Sequence, residues 1–120
     1  MPKIKKTETA EQIAVVQYCE AMKWYIVHIP NEGKRSRQMG NLLKQMGLRP
    51  GFPDLFLFEP RGKWHGLAIE MKSEDGRLSK NQEEQLLELN KRGYAVKVAY
   101  SSTEAIKSIE RYMNLGGTEK

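Results

Sequence analysis

The sequence predicts an α/β domain: one central mixed four-stranded sheet flanked by helices on both faces. Three observations predict it. Asp54 to Phe58 and Trp64 to Lys72 are strand-like runs separated by a turn with Pro60 and Gly62, which makes the pair a β-hairpin. Ser79 with Gln82 and Ser101 with Glu104 have the spacing of capping boxes, so each opens a helix. Between those helices Tyr94 to Tyr100 is a mostly apolar run, and a strand set between helices belongs to a sheet with crossover connections.

Taken in order, Thr7 or Thr9 caps a first helix running to about Lys23, with Glu8 and Glu11 in the first turn, where carboxylates suit the helix dipole. Trp24 to Ile29 is aromatic and β-branched, which favours a strand, and Pro30 stops it. Asn31, Glu32 and Gly33 make a turn. A short helical pattern over Asn41 to Met46 lies between Gly40 and Gly47, and Arg49, Pro50 and Gly51 form a loop. Residues 33–50 thus read as an insertion on the substrate side of the sheet. After the hairpin, Ser73 to Leu78 is a polar loop. The helix opened by Ser79 runs to about Lys91 with Leu86, Leu87 and Leu89 as its buried stripe, and Gly93 closes it. The apolar strand Tyr94 to Tyr100 is expected inside the sheet. The last helix sets Ile106, Ile109, Tyr112 and Met113 at core spacing, and Gly116 to Lys120 is a frayed tail, as residues 1–6 are expected to be flexible. The order is αβββαβα in a single domain spanning 1–120.

Composition narrows the function classes. A length of 120 residues with 39% apolar residues suffices for one compact core. The lone Cys19 makes no internal disulfide, and with His28 and His65 at no ligand-like spacing a structural zinc site is disfavoured, so a reducing, cytoplasmic setting is expected. No apolar run approaches the roughly 18 residues a membrane span needs, and MPKIKK lacks the apolar stretch of a secretory signal. The net charge of +5 is local: Gly33 to Phe52 holds Lys34, Arg35, Arg37, Lys44 and Arg49 with no acid, which leaves 15 of the 20 basic residues against 15 acidic ones. Such a segment suits a polyanion, although a solvated loop accounts for the charge alone equally well.

The chemistry centres on Gly51 to Lys72. In the second hairpin strand Leu67, Ile69 and Met71 point one way and Ala68, Glu70 and Lys72 the other, so one face is core and the other carries charge. Singly, a carboxylate at a strand start is a solvated group and Glu70-x-Lys72 a surface ion pair. Together, Asp54 and Glu70 from adjacent strands can converge on a hard divalent cation, with the Met71 carbonyl as a further ligand. The cation would polarise a phosphoryl oxygen and acidify a bound water, and Lys72 would hold that water or offset charge in the transition state, which is phosphodiester hydrolysis. Helical spacing does not decide whether Glu8 or Glu11 faces inward.

Gly51-Phe-Pro-Asp54, Ile69-Glu70-Met71-Lys72, then Leu78-Ser79 and Gln82 together resemble the VRR-NUC branch of the PD-(D/E)XK nuclease superfamily, in particular its small standalone phage and bacterial members. The resemblance implies a restriction-endonuclease-like fold and a Mg²⁺- or Mn²⁺-dependent endonuclease. It implies Asp54, Glu70 and Met71 as metal ligands, Lys72 as catalytic lysine and Gln82 as auxiliary site residue. It assigns the first-helix acid to Glu11 or Glu8: counting back from Pro30 favours Glu11, which is preferred, while pairing with Gln12 favours Glu8. For Gln82 the capping role competes on equal terms. The expected substrate is branched DNA, a Holliday junction or flap, cut by a homodimer in the cytoplasm of a bacterium or of a phage's host. Lys34, Arg35, Arg37, Lys44 and Arg49 would hold phosphates by backbone contact, without base readout. The alternative is a catalytically silent DNA-binding or scaffold protein that keeps the nuclease fold.

Overall fold

The computed structural model describes residues 8–30 and 36–116. Eight elements follow in order: α1 (Glu8–Ala21), β1 (Ile26–His28), α2 (Arg37–Gln45), β2 (Leu55–Leu57), β3 (Leu67–Met71), α3 (Lys80–Lys91), β4 (Ala95–Ala99) and α4 (Ser102–Met113). The strands form one mixed sheet of order β1-β2-β3-β4, with β1–β2 and β2–β3 antiparallel and β3–β4 parallel. A parallel pair cannot be joined by a tight turn, and α3 supplies the crossover.

The expected alternation along β3 holds. Leu67, Ile69 and Met71 enter the main core with Leu55 and Leu57 of β2, Val15 and Cys19 of α1, and Ala105, Ile109 and Tyr112 of α4. Ala68 and Glu70 turn to the opposite face, where Gln82 of α3 bonds Glu70, so α3 covers that side. Buried positions 11, 15 and 19 define the inward stripe of α1.

Several element limits differ from the sequence reading. Thr9 lies inside α1 rather than capping it, and α1 ends in a Schellman turn, with Lys23 at φ 64° and the Trp24 N–H donating to Cys19 O at 2.9 Å. The helix in the basic segment starts at Arg37 and not Asn41, because Ser36 caps it by accepting from Met39 N–H; α2 buries none of its residues. On α3 the reciprocal Ser79–Gln82 capping box is present as expected. Its stripe is narrower than expected: Leu86 is buried, whereas Leu87, about 100° further round the helix, is 66% exposed. β4 is an edge strand. Its apolar character reflects α3 and α4 packing against it, since among the described residues β3 is its one strand neighbour. At α4, Ser101 accepts from Glu104 N–H, but the Glu104 carboxylate returns to Tyr100 N–H rather than to the cap residue.

Gly116 is tied down, its carbonyl accepting from Gly62 N–H at 3.0 Å. The expected turn at Asn31 to Gly33, the Thr7 cap, and the termini at 1–6 and 117–120 lie outside the described residues. Among the described residues no helix is long and apolar enough to cross a membrane.

Ile109, fully buried where α4 meets the sheet, should be intolerant of truncation: Ile109→Ala is expected to cost about 2–5 kcal/mol, measured by urea unfolding.

Candidate functional site

Hairpin register brings the two strand carboxylates together. Leu55 pairs with Ile69 across the antiparallel β2–β3 ladder, so Asp54 stands opposite Glu70, both on the face away from the main core. Asp54 is fixed from two sides. Its Oδ2 accepts from Met71 N–H at 3.0 Å, and its own carbonyl accepts from Ile29 N–H at 2.8 Å and from His28 Nδ1–H at 2.9 Å. The loop ahead of it is anchored by buried Pro53 and by Phe52, which stacks on Phe56 with centroids 5.5 Å apart.

A cleft of about 250 Å³ opens here, lined by Glu8, Asp54, Glu70, Lys72 and Gln82. Gly51, Phe52, Ser79 and Asn81 complete its wall. Four of the expected site side chains thus converge with one of the two first-helix acids. The structure separates those two acids. Glu8 accepts from Ser73 N–H at 3.1 Å, just past the end of β3, and faces the cleft. Glu11, preferred on sequence grounds, does not line it: its carboxylate is buried and accepts from Ser102 N–H, one of the free donors at the start of α4, so it joins α1 to α4. Counting from Pro30 could not reveal that partner, which lies far away in sequence.

Gln82 serves both roles that competed for it. Oε1 accepts from Ser79 N–H at 2.8 Å and Nε2 donates to Glu70 Oε2 at 3.0 Å. Met71 enters the site geometry through its N–H, and its side chain is buried in the core. Of the basic residues, Arg37 and Lys44 lie on exposed α2 and Arg49 on the loop towards Gly51, all outside the cleft, while Lys34 and Arg35 lie outside the described residues. Sequence reasoning passed over Asn81, which carries no signal beyond its place beside Gln82, and Phe52, which was read only as part of the Gly51-Phe-Pro-Asp54 motif.

Electrostatically the site is strained towards a positive guest. Glu70 is 3% exposed, and its Oε1 is buried without a hydrogen-bond partner. Burial, with the Asp54 carboxylate as the next cause, pushes the Glu70 carboxyl up to about 8, although the Lys72 ammonium pulls the other way. An oxygen donor set of Asp54, Glu70 and Glu8, with no thiolate, fits a hard divalent cation that would displace the Glu70 proton. Among the described residues no three His, Cys, Asp or Glu side chains form a complete metal-binding group. Water and substrate oxygens would therefore complete the shell, as is usual for Mg²⁺.

The fold and the site define a small α/β domain with an acidic cleft that also holds a lysine. The sequence model of the VRR-NUC domain matches residues 6–103, and the chain belongs to that family, which is a family of nuclease domains. The fold is that of solved relatives. A structure described as a VRR_NUC domain protein is 29% identical, with TM-score 0.83 over 99% of this chain and 96% of its own. A second, described as a VRR_NUC domain, is 25% identical, with TM-score 0.62 over 91% of this chain and 99% of its own. No curated protein matches.

The raised Glu70 value fixes a pH dependence. The folded, metal-free protein holds this proton more tightly than the unfolded chain does, so stability is full below about 4.5 and is lost as pH rises towards about 8. Urea unfolding in a chelator across that range, on the wild type and on Glu70→Gln, checks it: the variant should lose this component of the slope.

Proposed function

We propose that the protein is a metal-dependent, structure-selective DNA endonuclease that hydrolyses phosphodiester bonds in branched DNA, a Holliday junction or flap, and works as a homodimer. One observation carries the reading: in a VRR-NUC chain, the buried Glu70 carboxyl shares one cleft with Asp54 and Lys72.

Asp54 and Glu70 would hold a Mg²⁺ or Mn²⁺ ion, with Glu8 lining the same cleft and the Met71 carbonyl as a further ligand. When bound, such an ion polarises a phosphoryl oxygen and acidifies a water. The rest is the work of this chain's side chains. Met71 N–H holds Asp54 Oδ2, and the Gln82 amide holds Glu70 Oε2, so both carboxyl groups are held in place before any substrate arrives. Lys72, the residue just past the end of β3, would donate from its Nζ to the attacking water or to the phosphoryl oxygen on which charge grows. Two copies related by a two-fold axis would place two such clefts on the two strands of a symmetric branch.

The DNA would lie across α2 and the loop that follows it, held through phosphates by Arg37, Lys44 and Arg49, with Lys34 and Arg35 in the same basic segment. Contacts of that kind read charge and shape rather than base sequence.

Cleavage of a four-way junction, a flap, linear duplex and single strand, each with Mg²⁺, Mn²⁺ or chelator, tests the reading. Branched substrates should be cut only with metal, and Asp54→Ala, Glu70→Ala and Lys72→Ala should each abolish cutting while circular dichroism stays native. Junction binding without any cutting under either metal would leave the scaffold reading in its place. Junction affinity should also fall with salt, and the paired change Arg37→Ala with Lys44→Ala should flatten the slope of log K against log salt by about 2.

A further inference from the structure

The amide of Gln82 touches two partners, and their chemistry allows it one orientation. Ser79 N–H can only donate, so the oxygen Oε1 must face it, at 2.8 Å. The NH₂ is then left to donate to Glu70 Oε2 at 3.0 Å. Turned by half a rotation, the amide would set NH₂ against N–H and oxygen against carboxylate oxygen, losing both bonds. The same Ser79 also holds the main chain at position 82, its Oγ accepting from Gln82 N–H at 3.1 Å.

Gly51 closes the arrangement from the other side. A Cβ at Gly51 would lie 2.6 Å from the Asn81 carbonyl carbon and 2.7 Å from Gln82 N, both main-chain atoms, and the residue has φ +83°. The loop that leads to Asp54 is therefore in main-chain contact with the turn that carries Gln82. The two halves of the cleft, the Asp54 loop and the Gln82 turn, are set against each other at this contact.

We propose that Ser79 is a positioning residue for the cleft: its N–H fixes the Gln82 amide, which engages Glu70 Oε2 and thereby sets the Glu70 carboxyl beside Asp54, with Gly51 holding the turn in place. The proposal rests on the reading of Glu70 as a metal-holding carboxylate. Its two links, from Ser79 to the amide and from the amide to the carboxylate, can be tested separately.

Ser79→Pro is the informative change, because φ at Ser79 is −77° and suits proline, while the substitution deletes the N–H. Two readouts apply. In the metal-free protein the Gln82 side-chain amide protons, followed by ¹⁵N–¹H NMR, should be distinct in the wild type and collapse towards free-amide positions in Ser79→Pro. By calorimetry, Ser79→Pro should weaken Mn²⁺ binding about tenfold, as losing the partner of a ligand commonly does. In a Gln82→Met background Ser79→Pro should leave Mn²⁺ affinity where Gln82→Met put it, while Tm falls further because the helix cap is still lost. A capping role alone would lower Tm in both backgrounds and leave the amide signals and Mn²⁺ affinity unmoved. Unchanged amide signals in Ser79→Pro, or an equal loss of Mn²⁺ affinity in both backgrounds, overturns the proposal. If Ser79→Pro does not fold, the wild type and Gln82→Met decide: a through-hydrogen-bond coupling between Ser79 ¹⁵N and the Gln82 side-chain carbonyl carbon is expected, with a roughly tenfold loss of Mn²⁺ affinity in Gln82→Met, and absence of the coupling or an unchanged affinity overturns the proposal. A wild type that binds no Mn²⁺ while the amide signals still respond would sink the metal reading and leave the Ser79–Gln82 link standing.

Discussion

A carboxylate buried in a sheet is costly, and the structure accepts that cost at Glu70. Removing an ion from water is unfavourable by several kcal/mol unless partners replace the solvent, and an apolar residue of similar size would fill the same space more cheaply. What surrounds Glu70 makes the burial tolerable without fully satisfying it: one oxygen takes the Gln82 amide, Lys72 lies nearby along the strand, and the other oxygen is left bare. The remaining structure follows from holding that group in place. Pairing of Leu55 with Ile69 sets Asp54 opposite it, and a slip of one residue would turn Asp54 into the main core.

The two faces of the sheet divide the work accordingly. On one side α1 and α4 bury Val15, Cys19, Ile109 and Tyr112 against β2 and β3, an apolar assembly that needs no water and no ion. On the other side an aromatic row, Phe52 on Phe56 and Phe56 on Phe58, runs beside the cleft and anchors its entry loop. The strained group can therefore sit on a strand whose opposite side is fully packed. A rigid backing keeps a few carboxylates at fixed positions when their mutual repulsion would spread them.

How much of this could be read in the sequence depended on the range of the interaction. Asp54, Glu70 and Lys72 stood out because strand periodicity is two, so a charged residue among apolar ones declares its face at once. The Ser79–Gln82 box was equally local. Glu8 and Glu11 could not be separated, since on a helix both lie within a turn of the same stripe, and what parts them is Ser73 in one case and Ser102 in the other. The limits of α2 were misplaced because its first turn, Arg37 to Gly40, is mostly polar and shows no periodicity, while the Ser36 cap carried the signal. The edge position of β4 was hidden for a related reason: a strand covered by helices on both sides looks the same in sequence as one flanked by strands.

Glu8 is the first residue of α1, where backbone N–H groups have no partner within the helix and the turn opens most easily. Its carboxylate nevertheless reaches across to the loop after β3, bonding a residue far along the chain. The acidic cleft thus has one wall that rests on a helix end rather than on the core behind it. Opening of a single helical turn would take one wall off the cleft while Val15 and Cys19 stay packed.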